Sequence, residues 1–562
     1  MNNASLELGG TNWAEKDGNI LGYSVGDTSG KYSPQEFTFA RGSNLSATRI
    51  DRAGLIVKGR ENVLLQSNQF DTTWSNVLSG SITGGQSGYD GSSDAWLMTK
   101  GATDYRRIQQ AVSLSGVQTM SVYAKANTQD VISILCNASG GDSGIVFNLA
   151  TQTWVTNFNT IDFGYESVGN GWYRVYVTFN KTINSVNIFV GWNDSDAGSI
   201  YIQDAQVELG LAASPYIESG ATNGTAGVLE NTPRLNYTTG VANPYLLLEP
   251  SRTNLLTQSE YFAATLWTSG QSRDYTLTYT NELNPQGLAG SYKYKSITSN
   301  NQLGAITNNA SGTTITNSIY VKRVSGTGNV LLRNVNNVGT SFSLSISDGW
   351  KRIDVTATSL ATTSRIYLNL DDVNDEVLIW GAQQEIGSYP TSYIPTYSVS
   401  ATRAAENCSK TNASDVIGQT EGTVYAEFVV NGFTNFGTPL CINNGSTNES
   451  VWLTTFGNGD IRAEVFSVTG GGIQASFTKS GNTTGQIYKI AIGYAANNFA
   501  FYVNGTQVGA TDTSGSVPSG MSRIDYDYGN ATNFSKSALE IKQAALYKER
   551  LTNAELATLT TI

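Results

Sequence analysis

GNGWYRVYVTF (Gly169–Phe179) and IYIQDAQVELGLAASPYI (Ile200–Ile217) decide the fold. In each, apolar and polar residues alternate, β-branched and aromatic side chains are enriched, and Gly, Asn, Asp and Ser bound the run. That is the pattern of a half-buried strand. Both stretches recur: SDGWKRIDVTA (Ser347–Ala357) matches the first and VLIWGAQQEIGSYPTSYI (Val377–Ile394) the second. Further toward the N-terminus, MSVYAKA (Met120–Ala126) matches NSIYVKR (Asn317–Arg323). ENVLLQSNQFDTTW (Glu61–Trp74) matches TNLLTQSEYFAATLW (Thr253–Trp267). The order of the blocks is the same, so residues 61–217 and 253–396 are two copies of one domain. Strands about every ten residues, with no helical pattern between them, indicate antiparallel sandwiches, each copy of the size of one jelly roll.

A different module follows at 415–562. GTVYAEFVVN (Gly422–Asn431) reads as a strand, and YKIAIGYAANNFAFYVNGTQVGA (Tyr488–Ala510) as three strands joined by turns. Its Asn504-Gly505 pair is a strong hairpin signal. IKQAALYKERLTNAEL (Ile541–Leu556) reads as a last strand and a helical turn, with Thr552 and Glu555 at capping-box spacing. Three stretches remain: an irregular, Gly-rich N-terminal segment at 1–60 and linkers at 218–252 and 397–414. The expected class is all-β.

Composition narrows the chemistry. The 562 residues include no histidine, which removes Ser-His-Asp and Cys-His nucleophiles, HExxH zinc sites and histidine proton shuttles. With 34 Lys+Arg against 45 Asp+Glu, the net charge of −11 argues against nucleic acid as a partner, since that needs basic stripes. Apolar runs such as Tyr245–Leu248 fall far short of a membrane span, and no signal peptide is visible at the N-terminus. Cys136, Cys408 and Cys441 are too sparse for a disulfide framework or zinc cluster.

YLLLEPSRTNLL (Tyr245–Leu256), SYPTSYIPT (Ser388–Thr396) and ATRAAE (Ala401–Glu406) together resemble bacteriophage virion fibre and spike proteins. So does FTFARGSNLSATRID leading into ENVLLQSNQF. Such proteins carry carbohydrate-binding-module-like jelly rolls, often in tandem. FYVNGTQVG with IKQAALYKERLTNAEL resembles a concanavalin A-like (laminin G-like) lectin domain. The resemblance implies a head or tail fibre on the virion surface, assembled in the host cytoplasm. It implies an N-terminus joined to other virion proteins, a homotrimer, and β-sandwich domains displayed for adhesion to host-surface glycan. The expected role is not enzymatic. The alternatives are a capsid decoration protein without a ligand and a tailspike-type polysaccharide depolymerase.

Residues that differ between the copies are the better functional candidates. In GWNDSDAGS (Gly191–Ser199), Trp192 offers a flat apolar platform for a sugar ring, and Asn193, Asp194 and Asp196 offer groups for its hydroxyls. The plain alternative is a hairpin loop with a half-buried Trp. Carrying the register of the last block back places Asn369 opposite Trp192 and Asp371 opposite Asp194. Trp452, Asn458 and Asp460, near a GNGD turn, form a second candidate rim site, although a type I′ turn explains Asn458-Gly459 without a ligand. Asp194 with Asp196, and the run Asp371, Asp372, Asp375, Glu376, are candidates for a structural Ca²⁺, against solvated acidic loops. No cofactor is expected. Trp74, Trp172, Trp267 and Trp350 recur in both copies and are expected in the cores. GGDSG (Gly140–Gly144), which superficially resembles a serine-protease nucleophile loop, is expected to be a turn.

Overall fold

The two repeats share one strand order in the computed structural model, which describes residues 4–562 apart from 12, 26–31, 43–44, 78–79, 102–106, 194, 239–240, 269–272, 335–337, 435 and 527–537. In the first repeat, Arg107–Ala126 lies between Trp172–Val190 and Gly198–Leu209, and the sheet continues through Ala95–Lys100 to Gly80–Gln86. In the second, Thr314–Ser325 lies between Lys351–Thr358 and Glu376–Ile386, and the sheet continues through Ser291–Asn301 to Arg273–Thr280. All pairings are antiparallel.

The copies differ in how the chain reaches the opposing layer. In the first repeat, two long strands run on from one layer into the other. Their far ends pair, Ile108 opposite Ile188, after a register shift between Ala111 and Leu114 that bends the ladder. Val131–Ala138, Ser143–Asn148 and Thr153–Phe158 complete that layer. In the second repeat the same path is cut: Leu303–Asn308 is separate from Thr314–Ser325, and Lys351–Thr358 from Thr363–Leu370.

Sequence blocks common to both copies build the same buried hydrogen bonds. Asn62 donates to the carbonyls of Ala205 and Ile217 and accepts from the N–H groups of Leu64 and Val207. Asn254 does the same with Ala382, Ile394, Leu256 and Gln384. Gln206 and Gln383 accept from the N–H groups of Ile217 and Ile394. Glu208 is capped by Ser214, and Glu385 by Thr391. The SPYI and PTSYI phrases are thus return segments pinned across the outer face of each sheet.

Trp172 is buried outside the core of its sandwich, against Tyr123 and Ala95, whereas Trp74 and Trp267 are buried in the cores as expected. Trp350 is not: it is half-buried, its indole N–H donating to the carbonyl of Leu283, because the loop it sits on precedes the strand rather than lying in it. GGDSG is a turn whose Asp142 accepts from Asn137 and from the Ala138 N–H.

The second unit comprises residues 1–57, 230–252 and 402–562, and the repeats form the other unit. Here Glu421–Gly432 lies between Ile487–Ala495 and Ala538–Tyr547. Leu6–Gly9 and Tyr245–Leu248 both pair with Ala538–Tyr547, and Asn407–Lys410 pairs with Tyr32–Ala40. The segments read from sequence as an N-terminal piece and two linkers therefore carry strands of this unit. The chain leaves it twice, once for each repeat. Gly437–Asn443, Glu449–Thr455, Ile461–Ser467 and Gly472–Lys479 form the facing layer over one apolar core. Asn504 and Gly505 both have positive φ, as a type I′ turn requires. Thr552 and Glu555 cap the helix Asn553–Thr560 reciprocally. The Asn458-Gly459 turn is not type I′. Only Gly459 of the pair is at positive φ, and its N–H bonds the Phe456 carbonyl, giving a type I turn closed by a left-handed glycine.

Candidate functional site

Trp192 follows the strand Trp172–Val190 after one residue, Gly191, and is 41% exposed. Its ring lies 6.2 Å from that of Phe158, tilted by 39°, so two aromatic faces share this end of the repeat. The loop beneath them is tied down. Asp196 Oδ2 accepts from the backbone N–H groups of Trp192 and Asn193, each at 2.8 Å. Those bonds hold the Asp196 carboxyl below its usual range, with Lys100 adding to the effect. Lys100 Nζ also donates to the Asn193 carbonyl. Gly191 has φ +74°, and a Cβ there would stand 2.7 Å from Asp196 Cβ, so this tight return needs glycine. Asp196 is therefore the brace of the loop. Asn193 is exposed beside the platform, and Asp194 lies outside the described residues.

The partner position in the second repeat is Asp372, not Asn369. The Gly191 N–H bonds the Val131 carbonyl and the Asp371 N–H bonds the Asn329 carbonyl, which aligns the two loops three residues away from the sequence register. No aromatic stands at that position. Within the acidic run, Asp375 is buried against Arg323 at 2.7 Å and Glu376 pairs with Lys295 at 3.2 Å, so these two carboxylates are matched by cations. Among the described residues, no group of three or more His, Cys, Asp or Glu side chains could hold a metal ion.

The second candidate site does not assemble. Trp452 is buried, its ring lying parallel to Phe466 at 6.0 Å, and it offers no face to a ligand. Asp460 is buried and accepts from Asn458 and Arg462, both at 3.0 Å. Asn458 is exposed at the turn.

Sequence reading missed a third cluster, on the outer face of the first repeat. Asp204 is buried in the left-handed region at φ +53°, where the second repeat has Gly381 at φ +60°. Its carboxylate accepts from the Tyr89 hydroxyl at 3.0 Å. Tyr89 in turn lies flat on Tyr123, with centroids 3.9 Å apart and planes 3° apart, and Trp172 and Tyr201 flank the pair. Burial, with the nearby carboxylates of Asp94 and Asp90 in support, raises the Asp204 carboxyl to about 7 against the pull of the Tyr89 and Tyr216 hydroxyls. An unfolded Asp titrates at about 3.9. The native state therefore binds the extra proton, and stability falls as pH rises from about 4 through about 7. Asp204→Asn is expected to show a smaller drop in Tm between pH 5 and pH 8 than the wild type. An equal drop in both would contradict this titration.

No protein-family model and no curated protein matches the chain. Several solved structures are similar at low identity. One is the CBM40 module of Ruminococcus gnavus IT-sialidase bound to α2,3-sialyllactose (13% identity, 26% of this chain, 84% of that chain, TM-score 0.23). Another is the tandem CBM22 of Paenibacillus barcinonensis Xyn10C (12% identity, 62% of this chain, 100% of that chain, TM-score 0.21). A third is the enzymatically active domain of bacteriophage CBA120 tailspike protein 4 (12% identity, 24% of this chain, 21% of that chain, TM-score 0.19). At these scores the matches bear on neither ligand nor activity.

Proposed function

We propose that this chain is a non-enzymatic, glycan-binding β-sandwich protein of a bacteriophage fibre or spike. Its contact with cell-surface polysaccharide is made by Trp192 and Phe158 of the first repeat. The observation that carries the binding site is the exposed Trp192 ring beside Phe158 on a loop braced by Asp196 and Lys100. A flat apolar face held still stacks on a pyranose ring at little entropic cost, and Asn193 at its edge supplies a polar group for hydroxyls. What supports the virion role is the set of linker phrases in the sequence. A single shallow platform binds weakly, and several copies of the chain on one particle would raise avidity.

The test incubates the purified protein with capsule and lipopolysaccharide preparations, following bound protein and new reducing ends together. Retention on at least one preparation without new ends is expected. New reducing ends would replace this reading with a depolymerase. Absence of both signals would replace it with a decoration protein that has no ligand.

A further inference from the structure

The Tyr89 loop covers an aromatic surface that the second repeat fills differently. Residues 84–94, GGQSGYDGSSD, contain four glycines and one aromatic side chain, Tyr89. The loop joins Gly80–Gln86 to Ala95–Lys100 and folds over the outer face of the sheet. Gln203 holds it. Its Oε1 accepts from the Tyr89 N–H at 3.1 Å, and its Nε2 donates to Asp90, Ser92 and Asp94 at 3.3, 3.2 and 2.8 Å. Gly88 passes so close that a Cβ would stand 2.5 Å from Gln203 Oε1. In the second repeat, Trp380 and Gly381 follow Ile379 where Gln203 and Asp204 follow Ile202. Trp380 is a fully buried part of the protein's own packing, 5.6 Å from Tyr320 and 4.7 Å from Tyr393. The loop there, residues 281–290, contains Pro285 and is braced internally by Asn284. One repeat has a built-in filler. The other has a polar pair, Gln203 and Asp204, under a glycine-rich strap.

Tyr89 makes the contacts that a hexopyranose would make. It lays a flat ring against Tyr123, gives one hydroxyl proton to Asp204, and gives one N–H to Gln203. Building on the glycan-binding reading above, we infer that Tyr123, Trp172 and Tyr201, with Gln203 and Asp204, form a second sugar subsite that Tyr89 occupies as an intramolecular plug. The class of ligand follows from charge. The carboxylates of Asp90 and Asp94 both meet Gln203 on this face, so the subsite takes neutral pyranoses and repels uronic and sialic acids. Both repeats hold this position in the left-handed region, and where the second has Gly381 the first places a carboxyl that accepts a hydroxyl proton from Tyr89.

The test uses the full chain and saturation-transfer NMR with methyl glycosides of glucose, galactose, mannose, N-acetylglucosamine and glucuronic acid. Removing the plug raises the fraction of competent protein, so Tyr89→Ala is expected to bind at least one neutral glycoside about tenfold more tightly than wild type. Tyr89→Ala/Tyr123→Ala should lose that gain, and the glucuronide should bind neither. Tyr89→Phe, which keeps the ring and loses only the bond to Asp204, should gain less and carries the test if Tyr89→Ala misfolds. No gain in either single variant, or a gain that survives Tyr123→Ala, would overturn the subsite. Trp192→Ala is measured in parallel: unchanged wild-type binding there defeats the Trp192 platform, and a missing gain here defeats only the plug.

Discussion

Glu406→Ala is expected to destabilise the unit formed by residues 1–57, 230–252 and 402–562 by about 3–5 kcal/mol, the cost of stranding a buried charge. Glu406 is 1% exposed. It accepts from Arg234 Nε at 2.6 Å, from Arg41 at 3.0 Å and from the Glu249 N–H at 3.0 Å. Arg234 reaches on to Glu249 at 2.8 Å, and Arg403 pairs with Glu249 at 3.0 Å. The three guanidiniums also cap the backbone carbonyls of Thr232, Thr48 and Pro250. Burial pulls the Arg234 guanidinium down, but Glu406 and Glu249 outweigh it and hold Arg234 above its usual value; Arg41 is pushed below its own by burial. Deleting Glu406 leaves Arg41, Arg234 and Arg403 in the interior with Glu249 as the one carboxylate of this network. The exposed pair Lys16–Glu36, at 3.3 Å, is the control, and Glu36→Ala should change stability by less than about 1 kcal/mol. Chemical denaturation of the full chain reads both, and equal small shifts would contradict the account of the network.

Asn62→Ala and Asn254→Ala are expected to weaken the other unit, each by about 3 kcal/mol. Each asparagine is fully buried and satisfies two carbonyls and two N–H groups across three chain segments. Alanine leaves these groups without partners, at roughly 1–3 kcal/mol for each one that water cannot reach. Because the two networks are the same bond for bond, the two losses should agree to within about 1 kcal/mol. A large loss in one repeat and none in the other would show that the matching sequence blocks do not carry matching structural loads.

These two sites also show what the sequence makes legible. Strand alternation in GWYRVYVTF and in IYIQDAQVEL reports the sandwich because each strand has one wet and one dry face. The linker phrases stand out for a physical reason: FTFARG, LLLEPS and ATRAAE supply Arg41, Glu249, Arg403 and Glu406 to one buried network, which Arg234 completes. Other features were hidden. Strand Glu449–Thr455 is buried along its whole length, so alternation could not tell that Trp452 is interior. The repeat register drifted across loops of unequal length, which misplaced the partner of Trp192. Phe158 carries no signal, because only folding brings it to Trp192. Asp204 did carry one: an Asp aligned with Gly381 inside an otherwise matched strand points to a left-handed backbone that the Asp must tolerate.

The most direct test of the account compares wild type with Trp192→Ala for binding to the polysaccharide preparation that the wild type retains. Trp192 is exposed, so the variant should keep the wild-type Tm while its affinity falls about tenfold or more, the equivalent of about 1.4 kcal/mol. Undiminished binding by a folded Trp192→Ala chain would contradict the claim that this loop holds the glycan.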